Sequence, residues 1–330
     1  VKIQTMRGSP FIKPIEAKCK DWEYRLKYAQ GFLDAIINCQ KTWMYLEPIF
    51  SSEDIMRQLP NEGRMFNVMN ARWMKIMELT NEKKNVLAIY EYDENLLSNF
   101  QEANRVMDEI QKKLNDYLET KRSAFPRFYF LSNDELLEIL SQVRDPLAVQ
   151  PHLSKCFEGI YRLTFDSNKE IIAMSSIEEE KVNFLNKVSP VGNVEDWLLK
   201  VEEMMRDSVA GVIKDSLVAY PKYPREQWVL NWPAQAVIAT SSVIWTQQVT
   251  DAIETSGKKG LRNLENKLNR QLEGLTALVR SDLHPLQRIT LGALMVIEVH
   301  SRDVVPHLIQ SDVENTNDFA WLSQLRYYMQ

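Results

Sequence analysis

Glycine is the clearest shortage in this sequence: 10 residues in 330, well under the ~7% of average usage. So few residues free to take positive φ disfavours tight-turned β architecture, and the wealth of Leu, Glu, Lys and Asn favours helices. Cysteine is equally sparse. Cys19, Cys39 and Cys156 are far apart, odd in number and form no CxxC pair, so neither a disulfide framework nor a zinc knuckle is expected. A reducing, intracellular compartment fits that usage. No excess of positive charge exists either: the net charge of -5 argues against a nucleic-acid surface, which needs a concentrated basic face. The longest charge-free run, 227–250, is interrupted by Asn231, Pro233, glutamines and many Ser and Thr. A membrane span needs ~20 mostly apolar residues, so this stretch is expected to be a buried helix of a soluble protein. The N-terminus lacks the basic-then-apolar pattern of a signal peptide. The chain opens on Val1 and stops on an amphipathic pattern at Gln330, and both ends are expected to be cuts inside a larger protein.

Catalytic inventory is missing too. GxxxxGK[ST] is absent, and Ser256-Gly257-Lys258-Lys259-Gly260 is only a basic turn. GxGxxG and GxSxG are also absent. Four histidines are present, and His300, Asp303 and His307 form the one grouping of metal-ligand types on a helical face. Pro306 disturbs that helix and no fourth ligand is evident, so satisfied or exposed histidines are expected rather than a metal. Glu178, Glu179 and Glu180 are expected in a solvated loop. The pairs Lys112-Lys113, Lys121-Arg122 and Lys258-Lys259 are expected on solvated helix faces. No catalytic, cofactor-binding or metal residue is assigned, and no enzyme activity is expected of the chain.

What is there is core material: 45% hydrophobic residues, eight Trp and thirteen Met, enough for one elongated domain or two to three compact ones. Pro10 and Pro14 are expected to keep the first residues extended. From 15 to 47, Trp22, Leu26, Ala29, Leu33, Ile36 and Trp43 recur at helical spacing, until Pro48 stops the helix. Ser51 and Asp54 offer a capping box for a short helix before Pro60, and Asn61 caps a helix carrying Phe66, Met69, Trp73 and Ile76. Residues 84–121 read as one helical tract through Val86, Tyr90, Leu97, Phe100, Met107, Leu114 and Tyr117 or Leu118, with Asp93 and Asn104 weakening the stripe. At 1.5 Å per residue the tract would be ~55 Å long, as in an elongated structure or an antiparallel hairpin.

The stretch 113–140 organises the rest. The long helix breaks at Phe125-Pro126, because proline removes a donor and restricts its predecessor. An aromatic knot follows, Phe125, Phe128, Tyr129 and Phe130, too apolar for a plain loop. Ser132 and Glu135 then form a capping box for a new helix over 134–142. Phe125, Pro126, Phe128 and Tyr129 are therefore expected to build a rigid elbow.

After a turn at 146–151 and a short helix over 152–157, the period changes to two. Tyr161, Leu163 and Phe165 alternate with polar residues, Asp166 to Lys169 form a turn, and 170–174 return, with 181–185 as a candidate third strand. Pro190 and Gly192 mark the best boundary. Asn193 with Asp196 caps a second long helix through Val194, Trp197, Val201, Met204 or Met205, Val212 and Leu217, ending at Pro221. Pro233 opens a helix to about Thr255, and Gly257 and Gly260 bracket a turn before Leu261, Leu264, Leu268, Leu272, Leu275 and Leu278. Helices after Pro285 and over 318–329 complete a mainly α chain with a small β-hairpin near its middle.

Six segments carry a resemblance: QLPNEGRMFNVMNARWMKIM, KLNDYLETKRSAFPRFYFLSNDELLEIL, VQPHLSKCFEGIYRLTF, GNVEDWLLKVEEMM, QWVLNWPAQAVI and DFAWLSQLRYYM. In order and across essentially the whole chain, they resemble the linker region of dynein heavy chains, and WMYLEPIFSSEDIMRQLP is more similar to axonemal than to cytoplasmic members. The resemblance implies an elongated multi-helix bundle lying across a ring of AAA+ modules. It implies a lever that bends and straightens while ATP and magnesium are handled elsewhere in the heavy chain, with no cofactor in this part. The implied partners are that ring, and microtubules and other dynein subunits through the whole protein, in the cytoplasmic cytoskeleton and the axoneme of a cilium or flagellum. No nucleic acid or membrane partner is implied. Residues 1–158 would hold N-terminal helical subdomains, 159–192 the hairpin and hinge region, and 193–330 C-terminal subdomains leading towards the first AAA+ module. A hinge is expected at Ser189, Pro190, Gly192 and Asn193. The competing expectation is a passive helical scaffold that docks another protein without nucleotide-dependent movement.

Overall fold

The computed structural model describes residues 2–82, 95–141 and 145–329. The chain separates into two compact units, one running to His152 together with Gly192–Asp196, the other comprising Leu153–Val191 and the residues from Trp197 onward.

The first unit is helical: α1 (Lys2–Arg7), α2 (Glu16–Phe50), α3 (Glu53–Gln58), α4 (Pro60–Glu82), α5 (Leu96–Ala124) and α6 (Asn133–Ser141). Its core is aromatic. Phe32 meets Phe100 edge-on at 5.5 Å, Trp43 stacks on Trp73 at 5.7 Å, and Phe50 stacks on Phe66 at 5.3 Å. Polar groups on these faces are paired: the Trp43 indole donates to Asn70, and the Asn104 amide donates to the Ala35 carbonyl.

Local expectations are corrected at several points. Residues 2–7 are helical rather than extended. Pro48 lies inside α2, which continues to Phe50; the lost backbone donor is offset by burying Phe50 on Phe66. The Ser51–Asp54 box does not form, because the Ser51 hydroxyl donates to the Glu47 carbonyl and α3 starts without a side-chain cap. Asn61 sits one residue inside α4, where its side-chain oxygen accepts from Arg64. Helix α5 starts at Leu96; Val86, Tyr90, Asp93 and Gln142 lie outside the described residues. On α2 the expected stripe is displaced. Trp22, Leu26 and Leu33 are exposed, and Cys19, Phe32, Ala35, Cys39, Leu46 and Phe50 form the buried face. Both sets have helical spacing, and only the neighbours decide which one packs.

The second unit contains α7 (Leu153–Cys156), a sheet of β1 (Arg162–Phe165), β2 (Ile171–Ser175) and β3 (Lys181–Val188), then α8 (Val194–Ala219, in this unit from Trp197), α9 (Arg225–Trp228), α10 (Ala234–Val279), α11 (Pro285–Gln310) and α12 (Phe319–Leu322). The sheet is antiparallel in the order β1-β2-β3, with Leu163 opposite Met174 and Met174 opposite Val182. Asp166 organises the first turn by accepting from the Asn168 and Glu170 amides, and Ser176 does the same for Glu178 and Glu180. A lone hairpin is marginal in water; here Ile171, Ala173 and Met174 are buried, and the Leu185 amide donates to Ser208 of α8.

Helix α10 is two arms broken at Gly257 (φ 53, ψ -133). Val237 and Leu275 share one buried cluster, Ile253 and Leu261 another, so the arms run antiparallel as an αα-hairpin. Gly257 is needed for its positive φ, and Gly260 because a Cβ there would lie 2.4 Å from the Ala252 carbonyl oxygen. Near the C-terminus only Phe319–Leu322 is helical, shorter than the expected 318–329. Among the described residues no helix is long and apolar enough to cross a membrane.

Candidate functional site

The expected elbow forms a compact corner in the first unit. The Phe125 amide closes α5 by donating to the Lys121 carbonyl, and Pro126 opens a 3-10 turn, Pro126–Phe130. Phe125 and Phe128 are fully buried and meet edge-to-face at 4.9 Å, a favoured aromatic geometry. Ser132 and Glu135 exchange the two hydrogen bonds of a capping box, Ser132 N to Glu135 Oε2 at 3.0 Å and Glu135 N to Ser132 Oγ at 3.3 Å. The rest of the knot faces outward: Tyr129 and Phe130 are 58% and 68% exposed, with the Tyr129 hydroxyl donating to Glu119.

Charged residues that look like solvated helix faces complete the corner. Arg122 is buried and donates to the Leu131 carbonyl, Asn133 and Glu119, clamping both sides of the turn. Lys121 Nζ lies 2.5 Å from Glu195 Oε1, and the Tyr117 hydroxyl donates to Gln58 on α3. Burial first, and the Glu195 charge second, push the Tyr117 phenol up. His152 is buried with Nε2 3.3 Å from Glu138 and Nδ1 4.0 Å from Glu135. Helical spacing places only the Arg122–Glu119 pair, three residues apart; the other partners come from more distant stretches of chain.

The expected hinge residues form the short segment between β3 and α8. Ser189, Gly192 and Asn193 are exposed and Pro190 is half-buried. Gly192 has φ 94 and open space where a side chain would be. The Asn193 amide donates to Asp196 at 2.9 Å.

The second unit holds a polar knot of its own. Arg225 pairs with Glu298, donates to Ser241 at 2.9 Å, and lies 5.1 and 5.0 Å over the rings of Tyr220 and Trp228. Glu180 is no solvated residue: its carboxylate accepts from the Ala234 amide at 2.8 Å and caps α10, where an anion is favoured. Glu178 and Glu179 are exposed as expected. On α11, His300, Asp303 and His307 are exposed, and Asp303 is engaged by Arg302. Among the described residues no group of three His, Cys, Asp or Glu is arranged to hold a metal ion. A groove of about 710 Å³ is lined by Ile238, Trp245, Val296, Leu325 and Tyr327 among others, with no Asp, Glu, Lys or Arg among the described residues that line it.

Comparison with known proteins identifies the family of the chain. Residues 1–216 match the family described as dynein heavy chain, N-terminal region 2. Across 99% of this chain, the identity is 52% to human dynein axonemal heavy chain 3, 50% to human dynein axonemal heavy chain 1 and 48% to rat dynein axonemal heavy chain 12. The chain spans 8%, 8% and 11% of those three relatives. It belongs to the dynein heavy chain family.

Proposed function

We propose that this chain is the mechanical linker of an axonemal dynein motor, bending and straightening across the heavy chain's AAA+ ring. ATP and magnesium act in those modules, and the linker passes the resulting movement on as force along microtubules, without chemistry or a cofactor of its own. The observations that support this reading are a tightly packed corner and a largely exposed segment. The elbow is closed by two fully buried phenylalanines, a buried arginine clamp and a capping box. The segment Ser189, Pro190, Gly192 and Asn193 is largely exposed and turns on a positive-φ glycine. A lever needs stiffness so that the stroke is not dissipated, and a few residues that absorb the dihedral change. The axonemal names of its relatives support a place in a cilium or flagellum.

The test is hydrogen exchange across this region in the full motor, with and without ATP analogues. Protection of its surfaces should change with nucleotide, and exchange at 189–193 should change most. Identical protection in every nucleotide state would favour the passive scaffold instead.

A further inference from the structure

We propose that the buried pair Lys121–Glu195 is an ionic latch: it fastens Gly192–Asp196, the start of α8, to the end of α5, and is released when the lever moves. The proposal rests on the lever reading above and assigns it a regulated contact. All of the latch lies in the first unit. The two side chains are only 12% and 7% exposed, with Nζ 2.5 Å from Oε1. The ammonium of Lys121 also sits 5.3 Å over the Tyr117 ring, and Tyr117 is itself fixed to Gln58. Val194, beside Glu195, is buried. Immediately before this held turn, Ser189 is exposed and Val191 is 77% exposed. An anchored turn therefore follows directly on an unanchored one.

The physical chemistry suits a contact that must open and close repeatedly. Burying two ions costs most of what their attraction returns, so such a pair nearly breaks even against its hydrated, separated state. Release into water restores both hydration shells, whereas an apolar contact has no such compensation. The second carboxylate oxygen, Glu195 Oε2, is buried without a hydrogen-bond partner among the described residues, and opening the latch exposes it to water. The pair is thus demanding in geometry and inexpensive to undo. Closed, it holds 192–196 on α5 and confines freedom to 189–191; open, it extends that freedom through Asp196.

Hydrogen exchange on the 330-residue chain, read at 189–198 with 261–275 as internal control, tests the latch without any ring present. Lys121→Met leaves Glu195 buried without its counter-ion and should speed exchange at 192–196 about tenfold, with the control unchanged. The reversed pair, Lys121→Glu with Glu195→Lys, should restore protection. Unchanged exchange in Lys121→Met overturns the latch. If that variant does not fold, the reversed pair decides, and a reversed pair that is unprotected or unfolded overturns it as well. Release is tested in the full motor with Lys121→Met and Glu195→Leu together, an apolar contact that gains nothing from water. Microtubule gliding should slow several-fold while ATP turnover persists, and normal gliding overturns the release step. Failure of the lever reading looks different: 192–196 would be latched in the isolated chain, and no surface in the motor would respond to nucleotide.

Discussion

Phe128 and Tyr129 are neighbours with opposite fates, 0% and 58% exposed. In a 3-10 turn adjacent side chains point in different directions, so a run of aromatics cannot all reach the core. Phe128→Ala should cost ~3–5 kcal/mol, the usual range for a buried phenylalanine. Tyr129→Ala should stay within about 0.5 kcal/mol, and urea midpoints of the two variants give the comparison. Gly257 takes φ 53 and ψ -133, a backbone conformation that residues with a side chain rarely adopt even though the space beside it is open. Gly257→Ala should therefore lose ~1–3 kcal/mol, read in the same way. Cys39 is 1% exposed and burial pushes its thiol up to about 11. The folded chain should leave Cys39 unalkylated by iodoacetamide at about pH 8, while the urea-unfolded chain reacts; labelling followed by mass spectrometry checks it. An unfolded thiol ionises near ~8.5. The stability Cys39 contributes is accordingly complete below that pH and is lost as pH rises towards about 11.

Among the elements, a signal within one turn of helix is readable only where no neighbouring element competes for its groups. The Ser132–Glu135 box was legible because donor and acceptor sit three residues apart. The similar Ser51–Asp54 spacing failed because α2 ran past Pro48 and its end claimed the Ser51 hydroxyl. Three consecutive glutamates suggested solvent, yet Glu180 reaches the first amide of α10, 54 residues on. That cap predicts a cost for Glu180→Ala of ~0.5–2 kcal/mol. Its signature should be faster exchange at the start of α10, with the β1–β2 turn unchanged. Gly257 and Gly260 were readable as a turn, but the antiparallel packing of the arms they join required the shared clusters of Val237 with Leu275 and Ile253 with Leu261.

For the whole molecule, each unit has its own core: stacked aromatics in the first, and in the second the leucine stripe of α10 packed with Leu291, Leu294 and Val305. Local stability then follows local packing. Leu275→Ala, at a fully buried position, should cost ~2–5 kcal/mol. Exchange should quicken in peptides of the second unit and stay unchanged in α5. Uniform acceleration along the chain would show instead that the cores unfold together.

Sequence alone determined the helical class, the period change at the sheet, the capped helix restart at Ser132 and Glu135, and the segments that resemble dynein heavy chains. Each of these depends on neighbours within a few residues or on long strings of letters. Tertiary structure decided which of two apolar stripes on α2 is buried, which aromatics of the elbow face water, and which partners meet Lys121, Arg122, Glu180 and Arg225. The reason is distance along the chain. Helical and strand periods specify a face, but a face has no inside until another element covers it. A charged side chain likewise has no role until burial takes away the water that would otherwise be its partner.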